Sequence, residues 1–485
     1  MKKIGILALL LCFAFSAQAQ NKKWTLKECV EHALQNNISI KQNELDLELA
    51  DIERLDAIGN YLPGLSGSAS NSWNTGLTQN ITTGVLENQT SRNSSYSLTA
   101  GVTVFQGLRN LRAMQRAKLS KLSAEYGLSK MQDDISLFVA NAYLNVLTNK
   151  ANLEALISQN GVTQEQIQRT ADLVDAGVLP KGDLLEIRAT DASEKQNIAL
   201  TENTMQISLI SLAQLLNIKE YESFDIEDEG YDIIDDGISQ KSVSELIEAA
   251  KDNRSEIRIA ETNFELAKKD LQIARSAYLP TLNAFINYNT RESDRASGFE
   301  SVIDPNNPFV LTEAPVGVVE GTGQSVFGLN PNILEVRELD PLPFEEQLYL
   351  NDGISYGVQL NVPIFNGFAT RNNVKRNKVN VKRQEFLLEQ AKLDLESNVY
   401  QAYVDAKGSL KSYEAAQLAL ESQELAYQYA KDRYDVGLTN AFDFSQSKLR
   451  FDNAKIEANR AKYDYIFKLK VLELYFGVSA TDLKF

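Results

Sequence analysis

Tyr61-Leu62-Pro63 and Tyr278-Leu279-Pro280 are the same three residues met twice, 217 positions apart. The same shift lays Leu26, Cys29, Val30, Ala33, Asn36 and Ile40 over Val243, Leu246, Ile247, Ala250, Asn253 and Ile257. Further along, the shift becomes 260. Val104-Phe105-Gln106-Gly107 then falls on Ile364-Phe365-Asn366-Gly367, Ala142-Tyr143 on Ala402-Tyr403, Gly177 on Gly437, Asp183 on Asp443 and Ile218 on Val478. The 43 additional residues of the second copy belong to one loop. Self-similarity sustained at one long period is the mark of a duplicated unit.

Each unit reads in one order: helix, strand, loop, strand, very long helix, tight turn, shorter helix. Tyr96, Leu98, Ala100, Val102 and Val104 are apolar at every second position, as are Ile354, Tyr356, Val358, Leu360, Val362 and Ile364. That alternation predicts strands. Their partners, near Leu65–Trp73 and Leu282–Tyr288, carry more Ser, Asn and Gly and read more weakly. Each strand is expected to be about ten residues, enough to cross a bilayer when tilted. Between the strands and the turns run two stretches without proline, 108–176 and 368–436. In the first, Leu128, Met131, Ile135, Phe138 and Ala142 step by three and four, and in the second Leu388, Ala391, Leu395, Val399, Ala402 and Ala406 do much the same. Such seams belong to coiled-coil helices, and helices this long reach roughly 100 Å at about 1.5 Å per residue. Six of the ten prolines sit in the loop between Arg291 and Asp352. The others mark strand edges or the turn after Gly177, where proline does least harm.

The chain opens as an exported protein. Lys2 and Lys3 precede an apolar run from Ile4 to Phe15 and the small-residue site Ala17-Gln18-Ala19, the pattern of a secretory signal. The map is then a signal peptide over 1–19 and a first repeat over 20–218, with hairpin 62–106, long helix 108–176 and helix 181–216. An acidic linker over 219–240 follows, then a second repeat over 241–485 with hairpin 279–366, long helix 368–436, helix 441–476 and a tail. No later apolar run approaches the roughly 18–20 residues of a membrane-crossing helix. Two hairpins supply four strands, and four strands cannot close a barrel. Open edges in lipid leave backbone groups unpaired, so several copies must share one barrel.

The formal charge of −16 argues against nucleic acid as a partner. The acidic run from Glu220 to Asp236 reads as a solvated linker. His32 is the only histidine and has no clustered acids or thiols around it; it reads as a surface residue, and metal binding or acid–base chemistry has nothing to work with. Cys29 pairs with Leu246 in the repeat and reads as a packing residue. No nucleophile motif and no Gly-rich phosphate loop is present, so the chain reads as a non-enzyme without cofactor or metal. Two basic clusters follow the outgoing strands: Arg109, Arg112, Arg116, Lys118 and Lys121, then Arg371, Lys375, Arg376, Lys378, Lys382 and Arg383. Cations at helix starts oppose the helix dipole. Either they meet phosphates of the inner leaflet of the outer membrane, or they form an ordinary solvated face.

The element order, the duplication and two turn motifs resemble the TolC-like outer-membrane efflux proteins over nearly the whole mature chain. The most specific stretches are Tyr434-Asp435-Val436-Gly437-Leu438 with Asp443, and Ala176-Gly177-Val178 with Asp183. The resemblance implies a mainly α fold with membrane β: a homotrimer in the outer membrane, four strands per chain in a shared twelve-stranded barrel, and long coiled-coil helices forming an α-barrel through the periplasm. It further implies a passive exit duct served by a periplasmic adaptor and an inner-membrane transporter. By the same resemblance Asp443 matches the family's gate aspartate and Tyr434 a tyrosine that helps hold the gate shut, with Asp183 the first-repeat counterpart of Asp443. Two positions depart from the pattern. Gln446 stands where some members carry a second acid, and Thr439 where they carry a gate-locking arginine; Glu186 could supply an acid from the first repeat. The turns Gly177, Val178 and Leu179, with Gly437 and Leu438, are the expected adaptor contacts. Gly after a helix is also an ordinary C-terminal cap, and an acid in a first turn ordinarily complements the dipole. Small-molecule efflux, protein secretion through the same duct, and a non-channel surface scaffold or adhesin remain three readings of the chain.

Overall fold

The computed structural model describes residues 23–79, 85–228, 230, 233, 237–238, 241–295 and 298–478. The signal peptide and the end of the tail lie outside the described residues. In chain order the elements are β1 (Lys23–Trp24), α1 (Leu26–Asn36), α2 (Ile38–Gly59), β2 (Gly64–Gln79), β3 (Leu86–Gln106), α3 (Arg109–Asp175) and α4 (Lys181–Leu215). Then come β4 (Asp225–Ile226), α5 (Val243–Asn253), α6 (Ser255–Ser276), β5 (Thr281–Ser293), β6 (Gly298–Ile303), β7 (Phe309–Val318), β8 (Ser325–Pro331) and β9 (Ile333–Leu339). The chain continues through α7 (Phe344–Leu350), β10 (Gly353–Asn361), α8 (Ala369–Asp435) and α9 (Ala441–Phe476). Two compact units divide it: the described residues of Met1–Arg54, Gln115–Leu271 and Lys375–Phe485, and those of Leu55–Met114 and Gln272–Val374.

The helical unit shows the duplication in its packing. Both short helices open on a capping box: Thr25 and Glu28 exchange hydrogen bonds between side chain and backbone at 3.2 Å, and Ser242 and Glu245 do the same at 3.3 Å. Each box satisfies two of the backbone N–H groups that a helix start leaves unpaired. The buried residues also correspond. Cys29 and Leu246, Ala33 and Ala250, Ile40 and Ile257 all lie in hydrophobic cores, one per repeat, against Ile135 and Val139 in the first and Leu395 and Val399 in the second. α3 and α8 have 67 residues each.

In this unit the acidic linker is not simply solvated. β4 pairs in parallel with β1, Phe224 and Ile226 are buried, and Asp225 takes the Lys150 ammonium. The Tyr143 hydroxyl donates to the carbonyls of Trp24 and Glu227, tying both strands to α3. Acidic composition predicted solvation, but the apolar residues interleaved with the acids supplied enough burial to fold the described part back. His32 is likewise half-buried rather than a surface residue, standing edge-on to the Trp24 ring at 5.1 Å.

The second unit is built on a four-stranded antiparallel sheet in the order β10-β5-β3-β2. Three of its strands are longer than expected, with 16 residues in β2, 21 in β3 and 13 in β5, whereas β10 has 9 and ends at Asn361, short of Val362 and Ile364. The serines and threonines that made β2 read weakly are its cross-strand partners: hydroxyls of Ser68 and Ser97, Ser70 and Ser95, and Thr75 and Thr90 meet at 2.7–2.8 Å. Such pairs extend a sheet as apolar pairs do. The segment expected as a long loop is largely regular. β6 pairs with β9 and β7 with β8, and α7 follows. Its prolines fall where a ladder tolerates them, Pro315 at a register shift and Pro343 at the start of α7. Because β2 and β10 each pair on one side only, the sheet ends in two open edges.

Candidate functional site

The two tight turns are built by one device. The N–H of Val178 reaches the Leu173 carbonyl at 2.8 Å and that of Gly177 the Val174 carbonyl at 3.0 Å. Leu438 and Gly437 repeat the pair on Arg433 and Tyr434 at 2.8 and 3.0 Å. Gly177 and Gly437 have φ +73° and +75°, the left-handed conformation this helix ending requires. Val178 and Leu438 are left exposed at the tips, and Leu179 is half-buried.

Each turn feeds a new helix through an acid. The Asp443 N–H donates to the Asn440 side chain at 2.8 Å, and the Thr439 hydroxyl donates to the Asp443 carboxylate at 3.4 Å. Asp183 stands in the first turn of α4, its N–H on the Pro180 carbonyl at 3.1 Å. Both acids complement their helix dipoles. Asp443 is exposed and Asp183 half-buried. Glu186 and Gln446 are brought together on the wall of one groove of about 630 Å³ between α4 and α9.

Tyr434 is held at both its hydroxyl and its ring. Its hydroxyl meets that of Thr170 at 2.9 Å, both groups buried, and its ring stacks on Phe444 at 5.0 Å. One residue along, Arg169 holds Asp435 at 2.8 Å. The second helix hairpin is thereby pinned to the first. Tyr427 continues the stack, 5.2 Å from Phe451 and 5.9 Å from Phe444. Burial pushes the Tyr427 phenol up to about 12 and raises that of Tyr434, so both stay protonated and uncharged.

Sequence reading missed Thr170, the Arg169–Asp435 pair, the aromatic stack and a buried cluster of Lys448, Glu194 and Asp452. The stack had a signal: Tyr427 and Tyr434, and Phe444 and Phe451, are each seven apart, one helix face. Three residues of the first basic cluster serve internal pairing, while Arg109 and Lys118 are exposed. Arg116 holds Asp270 at 2.6 Å and Lys121 holds Asp51 at 3.0 Å, while Arg112 donates to the Gln272 carbonyl and the Ser276 hydroxyl. The second cluster is exposed along α8.

Four strands with two open edges, in a chain that also carries two 67-residue helices, are the parts of a β-barrel that further copies complete. The chain belongs to the outer membrane efflux protein family, which it matches over residues 29–217 and 350–478. It is 23% identical over 461 residues to Protein CyaE of Bordetella pertussis, covering 94% of this chain and 84% of that one. To outer membrane protein TolC of Vibrio cholerae it is 23% identical over 392 residues, covering 78% and 75%. The Campylobacter jejuni CmeC outer membrane channel has the same fold, with a TM-score of 0.74 at 17% identity over 94% of this chain and 86% of that one. The family is one of channel proteins, not enzymes. Its fold class is a trimer with a shared barrel in the outer membrane and a helical extension in the periplasm.

Proposed function

We propose that the chain is the duct subunit of a three-part efflux assembly, a passive channel that takes small molecules from an inner-membrane transporter by way of a periplasmic adaptor. The observation that carries this reading is the pinning of one helix hairpin to the other by Tyr434, Thr170, Arg169 and Asp435. Two hairpins held by a few polar bonds next to two exposed tips are suited to part and close again. In this reading Tyr434 is the latch. Asp443, Thr439 and Gln446 with Asp183 and Glu186 line the constriction, and the adaptor meets Gly177, Val178, Leu179, Gly437 and Leu438.

Thr439 in place of an arginine weakens the lock, because a neutral hydroxyl has no salt bridge to offer. Gln446 in place of an acid lowers the negative charge at the constriction. The duct therefore should be less selective for cations than one that also carries an acid at the position of Gln446.

Single-channel conductance in a planar bilayer tests this. Wild type should give discrete, cation-preferring openings, and Asp443→Ala should change their size or selectivity. A conducting protein insensitive to Asp443→Ala moves the constriction elsewhere. Folded, inserted protein that never conducts overturns the duct.

A further inference from the structure

Between α4 and α9 lies a cluster of three charged side chains that the gate does not use. Lys448, 2% exposed, sends its ammonium to Glu194 Oε1 at 2.5 Å and to Asp452 Oδ2 at 3.4 Å. Glu194 is well satisfied, since Thr163 Oγ1 donates to Oε1 and Asn160 Nδ2 to Oε2, both at 2.9 Å. Asp452 is not: its Oδ1 is buried and has no hydrogen-bond partner.

Two carboxylates thus share one ammonium. With both ionised, one negative charge is left over in a nearly dry place, and a buried carboxylate without compensation relieves itself by taking a proton. A cation from the adjoining groove is a poor substitute, because Oδ1 shows less than 1 Å² of surface. The groups around Asp452 can be named by element. α9 itself brings Lys448 and Lys455, α4 brings Glu194, and α8 brings the Tyr427 phenol. α3 presents the uncharged Asn160 and Thr163, with Glu165 acting on Tyr427. Asp191, beside Glu194 on α4, is matched by Lys195 at 2.9 Å.

We propose that Asp452 is a proton-binding site whose occupancy sets how tightly α9 packs on α4. Protonated, the cluster is one ammonium on one carboxylate, and the uncharged acid is free to donate. Ionised, the surplus charge loosens this stretch of the two helices. Burial pushes the Asp452 carboxyl up to about 6, Lys448 opposing and Glu194 adding to the rise. Because the folded value is raised, the stabilisation is fully present below the ordinary carboxylate value and is lost as pH rises through about 6. The inference stands apart from the transport role, since its readout is helix packing rather than conductance.

Amide hydrogen exchange on the full-length protein in lipid nanodiscs tests it, at about pH 5 and about pH 8 with intrinsic rates corrected. Wild-type peptides covering 189–198 and 445–456 should open on the order of 10-fold more often at the higher pH, because at about pH 5 a freely solvated carboxyl is already mostly ionised and only part of the shift lies in this window. Asp452→Asn, a fixed neutral mimic, should stay protected at both. Glu194→Gln removes the surplus charge and should move the loosening out of this window, so that it serves as the deciding variant where Asp452→Asn fails to give a folded oligomer. Wild type without a pH difference in these peptides, or either variant keeping the wild-type difference, overturns the proposal.

Discussion

At the scale of single residues, the buried Tyr434–Thr170 hydroxyl pair and the turn glycines carry the most testable energy. Tyr434→Phe keeps the ring on Phe444 and removes only the hydroxyl, leaving the fully buried Thr170 hydroxyl without that partner. The expected loss is about 1–2 kcal/mol, visible as faster amide exchange across residues 427–435 with no change elsewhere. Gly437→Ala acts through the backbone. At φ +75° a Cβ is strained, and about 1 kcal/mol should be lost although nothing lies within 4 Å to clash with it. Equal loss in Gly177→Ala, whose φ is +73°, would show that both turns depend on the same conformation; denaturation midpoints compare the two.

At the scale of elements, the ion pairs separate into those worth measuring and those that are not. Arg169 is 49% exposed and Asp435 24%, so solvent screening limits that pair to roughly 0.5–1 kcal/mol in a double-mutant cycle. Its interest is positional, one residue from Tyr434. The two basic clusters, equivalent in sequence, should behave differently. Neutralising Arg112, Arg116 and Lys121 removes internal hydrogen bonds and ion pairs, and thermal stability should fall at any lipid composition. Neutralising Lys375, Lys378 and Lys382 on exposed α8 should leave thermal stability within about 0.5 kcal/mol of wild type, as surface changes do. Melting curves of the two triple variants in detergent decide between these expectations.

At the scale of the whole molecule, the sheet with open β2 and β10 edges demands other copies, and the four strands should run as a heat-labile oligomer from outer-membrane extracts. The ribbons β6–β9 and β7–β8 lie outside the ladder that joins β5 to β10, whose register starts at Asn289 opposite Gly353. Replacing 298–339 by a short Gly-Ser link should therefore leave oligomer formation intact. Loss of the oligomer would give the ribbons a part in assembly.

Much of this was readable beforehand because duplication, alternation and proline avoidance are local patterns. The long helices begin and end within a residue of where proline-free periodicity placed them, at Arg109–Asp175 and Ala369–Asp435. The turn motifs marked Gly177 and Gly437, both at positive φ where a helix ends. Reading failed where local composition misled. Serines in β2 looked like loop, yet they pair across the sheet, and acids at 220–228 looked solvated, yet Phe224 and Ile226 are buried among them. The apolar residues of 298–339 were outweighed by proline count.

By itself, then, the sequence determined the repeat, the order and kind of its elements, the turn glycines and the need for shared strands, since each depends on spacing within one segment. Only the tertiary structure decided that Thr170 would meet Tyr434 from 264 residues away, and that Lys448 would face Glu194 as well as Asp452. Helix periodicity says which face is buried but not which residues of another helix it will meet. That choice is made by the register of packed side chains, a property of the assembled core that no single segment contains.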